Sequence, residues 1–319
     1  MAELIEWGPA TLRSVRDLTA DIRLFEIEPA VPVRAAAPGS HLSLLLPIGA
    51  GSDVRSYSIV GVADGAVRIA VKLLPESRGG SAYMWSLAPG ARLTVSRPRN
   101  YFPLGRSAED YLLVAGGIGI TPIQGMALAL VEAELPVRVL YGVRNEADAA
   151  FADELRAVLG ERLVVAAGVP LDLAAEIAAL SPGGEMYVCG PIGMLEAAKR
   201  AWKASGRPMA KLRFETFGSS GRYATEAFTV TIPRLGVELE VPRTMSLLDA
   251  LEGAGVPMIH HCRRGECGLC ALPIVGVEGV VDHRDVFFTE AEKEENAKLC
   301  TCVSRLAGGV LTLDVGSRS

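Results

Sequence analysis

The sequence predicts a multidomain protein: an antiparallel β-barrel, then an α/β unit on a parallel sheet, then a small α+β unit. Three observations carry this. Up to about residue 105, short stretches with alternating apolar residues are separated by Pro-Gly and Asp-Gly turns. From Tyr111, compact apolar strands alternate with segments of helical length, the mark of βαβ units. Five of the six cysteines (Cys262, Cys267, Cys270, Cys300, Cys302) fall in the last 58 residues, and the first 188 residues contain none. At roughly 100–200 residues per domain, the chain is long enough for two or three domains, each with its own core.

In the first unit the predicted strands are T-L-R-S-V-R-D-L near the start, H-L-S-L-L-L at 41–46, R-S-Y-S-I-V-G-V at 55–62, A-V-R-I-A-V-K-L-L at 66–74 and A-R-L-T-V-S at 91–96. In the second, strands Y-L-L-V-A, P-V-R-V-L-Y-G-V, R-L-V-V-A-A and E-M-Y-V-C-G alternate with helices. The helices follow Ala115–Pro122, then lie around Ala149–Leu159, near Leu171–Leu180 and over Ile192–Ala204, and the arrangement reads as a doubly wound sheet. Residues 218–225 are small and polar and read as a linker. A hairpin follows, A-F-T-V-T-I-P with V-E-L-E-V-P, then a short helix for which Ser246 and Asp249 suit an N-terminal cap. The expected domains are 1–105, 106–217 and 226–319.

Composition excludes several classes. A chain with 50% hydrophobic and 22% charged residues, 34 Gly and 19 Pro is neither disordered, collagenous nor a coiled coil. A net charge of -5 gives no electrostatic case for nucleic acid. The uncharged segment Tyr111–Val131 is long enough to span a bilayer, but four glycines and Pro122 interrupt it; a buried strand, glycine loop and buried helix are expected instead. The start of the sequence has neither a basic nor an apolar leader region, and clustered rather than spread cysteines suggest a local metal site, so a cytoplasmic protein is expected.

Cys262, Cys267 and Cys270 are spaced C-x4-C-x2-C, with a further cysteine about 30 residues on. This is the plant-type 2Fe-2S arrangement, in which a tight loop wraps three thiolates around a cluster and a distant strand end supplies the fourth. Gly265 and Gly268 stand where the loop must turn. A four-cysteine zinc site is the alternative, but zinc sites pair short spacings, and C-x-C at Cys300 and Cys302 is too short for a second knuckle. By spacing alone, Cys300 is the better fourth ligand, with 29 intervening residues against 31 for Cys302.

Arg55-Ser56-Tyr57-Ser58 offers a charged fork for a phosphate or anionic ring edge, an aromatic face and a hydroxyl. Arg78-Gly79-Gly80-Ser81 brings backbone, charge and hydroxyl together as a terminal phosphate requires; an ordinary Gly-Gly turn is the alternative. Gly116, Gly117, Gly119, Thr121 and Pro122 form a G-G-I-G-I-T-P loop after a strand, and Cys189, Gly190 and Pro191 form a second loop after another. Cys189 is either a buried core thiol or a group beside a bound nicotinamide, and nothing nearby argues for a nucleophile. No catalytic side chain is assigned.

Taken together, these motifs resemble the phthalate dioxygenase reductase and vanillate demethylase reductase family, in the order flavin domain, nicotinamide domain, plant-type ferredoxin domain. The stretch D-H-R-D through C-T-C-V-S-R-L is similar to the family's ferredoxin tail, and implies that Cys302 is the fourth ligand and Cys300 a small buried thiol. The resemblance implies FMN, held by Arg55, Ser56, Tyr57, Ser58, Gly80 and Ser81 with Val71 and Lys72 on the neighbouring strand; the phosphate loop itself leaves FAD open. It implies a pyrophosphate over the glycine loop, and an adenosine side at Tyr141–Arg144. Arg144 alone does not separate NADH from NADPH, though the likeness is to NADH-dependent members. Phe217 matches an aromatic that covers the flavin face, with core packing as the alternative.

The implied function is that of a reductase component: NADH delivers a hydride to FMN, and electrons pass singly through the 2Fe-2S cluster to a terminal Rieske non-haem iron oxygenase. A flavin and iron–sulfur subunit feeding a dehydrogenase, or a ferredoxin reductase with another acceptor, is the alternative. Neither nucleic acid nor membrane is an expected partner. Arg263 and Arg264, between the first two cluster cysteines, are expected to meet an acidic patch on the oxygenase.

Overall fold

A computed structural model describes residues 6–48, 51–74, 79–217, 221–261 and 263–316. The first unit holds β1 (Trp7–Asp17), β2 (Ile22–Pro29), β3 (Ser40–Ile48), β4 (Gly51–Ala63), β5 (Ala66–Lys72), α1 (Gly80–Ser86), β6 (Arg92–Ser96) and the two-residue β7 (Arg99–Asn100). The strand order is β4-β5-β2-β1-β6-β3, and β3 pairs back onto β4, closing a six-stranded antiparallel barrel to which β7 adds an edge. Strand alternation sends Leu42, Leu44 and Leu46 of β3 inward against Leu12, Phe25, Ile27, Val67 and Ile69, all fully buried. Burial of each such side chain is worth about 1.5–3 kcal/mol.

The second unit is a parallel sheet. Its strands are β8 (Tyr111–Gly116), β9 (Val137–Val143), β10 (Leu163–Ala167), β11 (Glu185–Cys189) and β12 (Leu212–Glu215), with α2 (Ile120–Glu132), α3 (Ala152–Leu159), α4 (Leu173–Ala179) and α5 (Ile192–Ala204) between them. The order is β10-β9-β8-β11-β12. On β8, Tyr111, Leu113 and Ala115 pack with α2 and α3, whereas Leu112 and Val114 pack with Ile177, Ala198 and Trp202 of α4 and α5. A strand buried on both faces reads as a continuous apolar run, which is why Tyr111–Val131 looked long enough to cross a bilayer. Among the described residues no helix is long and apolar enough to do so. The connection from β10 to β11 carries the chain from one side of β8 to the other, and the C-terminal ends of β8 and β11 open a crevice at this switch point.

The third unit has β13 (Phe228–Ile232), β14 (Val237–Val241), α6 (Leu247–Gly253), β15 (Ala271–Glu278), β16 (Val281–Asp282), α7 (Glu290–Glu295), β17 (Lys298–Cys300), β18 (Arg305–Leu306) and β19 (Val310–Leu313). Its mixed sheet runs β14-β13-β19-β15-β17, with β16 and β18 paired apart. Ser246 caps α6, accepting from the Asp249 N–H at 3.0 Å, as its sequence position predicts.

Among the elements that escape the sequence reading, three lie in the first two units and bear on the site. In β2, burial follows a broken alternation, with Ile22, Phe25 and Ile27 inward. The α1 helix begins at a Gly-Gly pair that reads as a turn, and Gly79 indeed has φ +97°. Strand β12 has only four residues and lies at the sheet edge.

Candidate functional site

A cavity of about 720 Å³ opens at the switch point. Of the sequence-assigned residues it gathers Gly116, Gly117, Gly119, Arg144, Gly190, Pro191, Lys72 and Phe217 along its wall. The glycines have distinct physical tasks. A side chain at Gly116 would strike Pro191 and Met194, and one at Gly119 would strike the Cys189 carbonyl, so these two let the loops after β8 and β11 touch. Gly117 has φ +54° and nothing within 4 Å of where a Cβ would lie, so it leaves backbone open to a ligand beside the first turn of α2. This suits a pyrophosphate.

Thr121, Pro122 and Cys189 do not line that cavity. Thr121 is buried and its hydroxyl donates to the Ile118 carbonyl at 2.9 Å, bracing the glycine turn from behind. Pro122 is buried in the first turn of α2. Cys189 ends β11 fully buried, and burial raises its thiol well above the ordinary 9.0. It is therefore a neutral packing group, and thiol reagents at pH 7 are expected to leave it unmodified in the folded protein; modification at the rate of an exposed thiol, read by peptide mass mapping, would contradict this.

A second cavity, of about 400 Å³, runs from β4 to the cysteine loop, with Arg55, Ser56, Ser58, Phe217 and Cys302 among its walls. Arg55 pairs with Asp53 at 2.7 Å and donates from Nη1 to the Val54 carbonyl at 2.9 Å, yet its Nη2 is buried with no partner. A Cβ at Gly80 would lie 2.8 Å from the Arg55 Nε, so the glycine makes room for this guanidinium at the head of α1. A buried guanidinium with one nitrogen left unpartnered beside a glycine turn fits a phosphate. Ser81 accepts from the Leu74 N–H at 3.0 Å, tying that turn to the end of β5. Arg78 lies outside the described residues. Tyr57 is half-buried against the barrel core, and burial pushes its phenol up to about 12. Val71 is in the core itself, while Lys72 pairs with Asp21 at 2.9 Å at the cleft edge.

Sequence reasoning missed the residues that complete this cavity: His41, Ser43, Asp53, Glu215, Thr216 and Thr225. The cross-strand register explains the first two, because His41 faces Ser58 and Ser43 faces Ser56, whose hydroxyls meet at 2.9 Å. Burial first, then the charges of Arg264 and Arg99, lower the His41 imidazole from 6.5 to about 4. The unfolded chain therefore takes up a proton below pH 6.5 that the folded protein refuses until about pH 4, and stability falls as pH drops through that window. Unfolding curves of His41→Gln are expected to lack this loss; identical pH dependence in both proteins would contradict the assignment.

The cysteine loop turns at Gly265 and Gly268, with φ +72° and +70°. A Cβ at Gly265 would meet Val303 and Asp285, and one at Gly268 would meet the Phe287 ring. The Gly265 N–H donates to the Cys302 sulfur at 3.2 Å, and the Cys270 and Cys302 sulfurs are 3.3 Å apart. Cys270, Cys300 and Cys302 form one buried cluster with Leu248, and Cys267 stands half-buried on the same loop; Cys262 lies outside the described residues. Hydrogen bonds from the neighbouring Cys300 and then Cys302 pull the Cys270 thiol below its ordinary range, the direction that favours a thiolate ligand. Thiolates that receive backbone N–H groups on a tight glycine loop fit an iron–sulfur cluster.

The two arginines of this loop do not face an external partner. Arg263 pairs with Asp249 and Glu252 at 2.6 Å each, and Arg264 with Glu215 at 3.1 Å and Glu266 at 3.0 Å. Both side chains are less than a fifth exposed. The expected docking patch is thus corrected: the carboxylates that neutralise these cations come from this chain, from α6, from the end of β12 and from the loop itself.

Comparison with known proteins agrees with this geometry. The family model of the oxidoreductase NAD-binding domain matches residues 113–167, and that of the 2Fe-2S iron-sulfur cluster binding domain matches residues 230–307. The chain is 36% identical to a putative toluene-4-sulfonate monooxygenase system reductase subunit of Comamonas testosteroni, over 96% of this chain and 98% of that protein. It is 38% identical to the phenoxybenzoate dioxygenase subunit beta of Ectopseudomonas oleovorans, over 92% and 93%. The solved structure of phthalate dioxygenase reductase superposes with a TM-score of 0.72 at 30% identity, covering 97% of this chain and 98% of that one. The chain belongs to the phthalate-dioxygenase-reductase-like family, the NAD-dependent flavin and 2Fe-2S electron-transfer reductases of oxygenase systems.

Proposed function

We propose that the barrel, 1–105, holds FMN; that the unit 106–217 binds NADH; and that Cys262, Cys267, Cys270 and Cys302 of the unit 226–319 hold the cluster that reduces a Rieske non-haem iron oxygenase in the cytoplasm. NADH supplies a hydride, and flavin and cluster together convert that pair of electrons into single-electron deliveries. The chain's own residues set the geometry. Arg55, Gly80 and Ser81 anchor the phosphate; Ser56, Tyr57 and Ser58 flank the ring; Gly116, Gly117 and Gly119 present backbone to the dinucleotide, with Arg144 towards its adenosine. Val71 and Lys72 close the barrel side, Thr121, Pro122 and Cys189 support the nucleotide loops, and Gly190 and Pro191 wall the nicotinamide.

The observation that carries this reading is the place of Phe217. It is 46% exposed and lines both cavities, so the nucleotide cleft and the channel towards Cys302 meet at one aromatic face. Such a face would stack on a flavin ring held in the barrel. Flavin released by denaturation is expected to be unchanged in fluorescence by phosphodiesterase, as FMN is; a rise would identify FAD. The NADH-reduced protein is expected to support turnover of a Rieske-type oxygenase, and failure with every such oxygenase while a haem-dependent one is reduced would replace the partner class.

A further inference from the structure

Arg264 stands where three units meet. Its Nη1 donates to Glu215, the last residue of β12, at 3.1 Å; its Nη2 donates to the Phe214 carbonyl at 3.1 Å and lies 3.0 Å from Glu266. The guanidinium carbon is 5.3 Å from the centre of the Phe102 ring, beyond the barrel's last strand. Glu266 lies between Gly265 and Cys267 on the cysteine loop, and its other oxygen accepts the Thr216 N–H at 2.7 Å. Thr216 in turn precedes Phe217.

The side chains of Glu215 and Glu266 are 9% and 3% exposed. Two carboxylates buried this deeply repel each other unless a cation sits between them, and Arg264 is that cation. Its planar fork also binds more than one acceptor in a fixed geometry, which a point charge does not do. One side chain thereby joins the cysteine loop to the strand end that carries the aromatic shared by both cavities.

We propose that Arg264 is a positioning residue for the flavin-to-cluster step: it clamps the cysteine loop against the nicotinamide–flavin junction, and the rate of that step depends on it. The step moves one electron. The reduced flavin loses it, one of the cluster's two ferric ions gains it, any flavin proton passes to solvent, and no heavy-atom bond is made or broken. Because tunnelling falls steeply with distance, a loop released by even a few ångströms delivers the electron more slowly. The inference rests on the flavin and cluster assignments above, and an unmodified protein lacking either chromophore would refute those assignments rather than the clamp.

The test uses the flavin- and cluster-loaded protein with Arg264→Met, Arg264→Lys and Glu215→Gln. Anaerobic rapid mixing with NADH separates flavin bleaching from cluster bleaching, and amide hydrogen exchange reads the Thr216 N–H directly. Arg264→Met is expected to reduce its flavin at the unmodified rate, to slow the flavin-to-cluster step tenfold or more, and to exchange the Thr216 amide at least tenfold faster. Arg264→Lys should recover part of both effects. If Arg264→Met does not retain its cluster, Glu215→Gln, which leaves the loop sequence intact, is expected to show the same two changes in smaller measure. A flavin-to-cluster rate within twofold of the unmodified protein overturns the proposal. So does slowing with the Thr216 amide still protected, which would place the role of Arg264 elsewhere.

Discussion

Cys302→Ser is expected to remove the native iron–sulfur absorption, whereas Cys300→Ser is expected to keep it. Spacing from Cys270 favours Cys300 as the fourth ligand, so the two readings oppose each other on one experiment. Several structural features favour Cys302. Its sulfur accepts the Gly265 N–H at 3.2 Å and lies 3.3 Å from the Cys270 sulfur. It also lines the cavity shared with β4. Cys300 is fully buried at the end of β17, opposite Ala271 in the ladder, and does not line that cavity. Loss of a ligating thiolate removes one of four bonds to the cluster, so reduction of a one-electron protein acceptor should fall by about 10²-fold or more in Cys302→Ser. Cys300→Ser should alter the cluster's potential through its hydrogen bonding and little else. Absorption and low-temperature EPR spectra decide the matter. A bleached Cys300→Ser beside an intact Cys302→Ser would reverse the assignment.

Arg55→Ala is expected to weaken flavin binding by about 10²-fold or more, because charge-assisted hydrogen bonds to a phosphate are worth about 1.5–3 kcal/mol each and the buried Nη2 has no other partner. The variant also takes the arginine from Asp53, a 6%-exposed carboxylate that still accepts from the Val54 N–H at 2.9 Å and the Thr225 hydroxyl at 3.1 Å. Arg55→Lys keeps the charge but not the fork and should fall between the two. Titration of the flavin-free protein with FMN, followed by fluorescence quenching, gives the three affinities. Equal affinities in all three would move the phosphate to another site.

The sequence carried the βαβ alternation, the two nucleotide loops and the cysteine spacing because each is local: a few adjacent residues dictate a turn, a period or a ligand set. The α5 helix over Ile192–Ala204 and the Ser246 cap follow the same rule. What was not legible depends on residues that only the fold brings together. Arg263 finds Asp249 and Glu252 on α6, and Arg264 finds Glu215 about fifty residues upstream, so two cations that look solvent-facing in sequence are neutralised within the chain. His41 and Ser43 became site residues through the register of β3 on β4, which a single strand does not announce. The Arg264 clamp belongs to the same class.

Electrons from NADH are expected to reach the cluster through the flavin. Anaerobic rapid mixing of the purified protein with NADH, recorded as full spectra, tests it most directly. Flavin bleaching is expected first and iron–sulfur bleaching after it, with the second phase lost in Cys302→Ser while the first remains. A cluster that is reduced without prior flavin bleaching, or a colourless protein whose cysteines hold zinc, would contradict it.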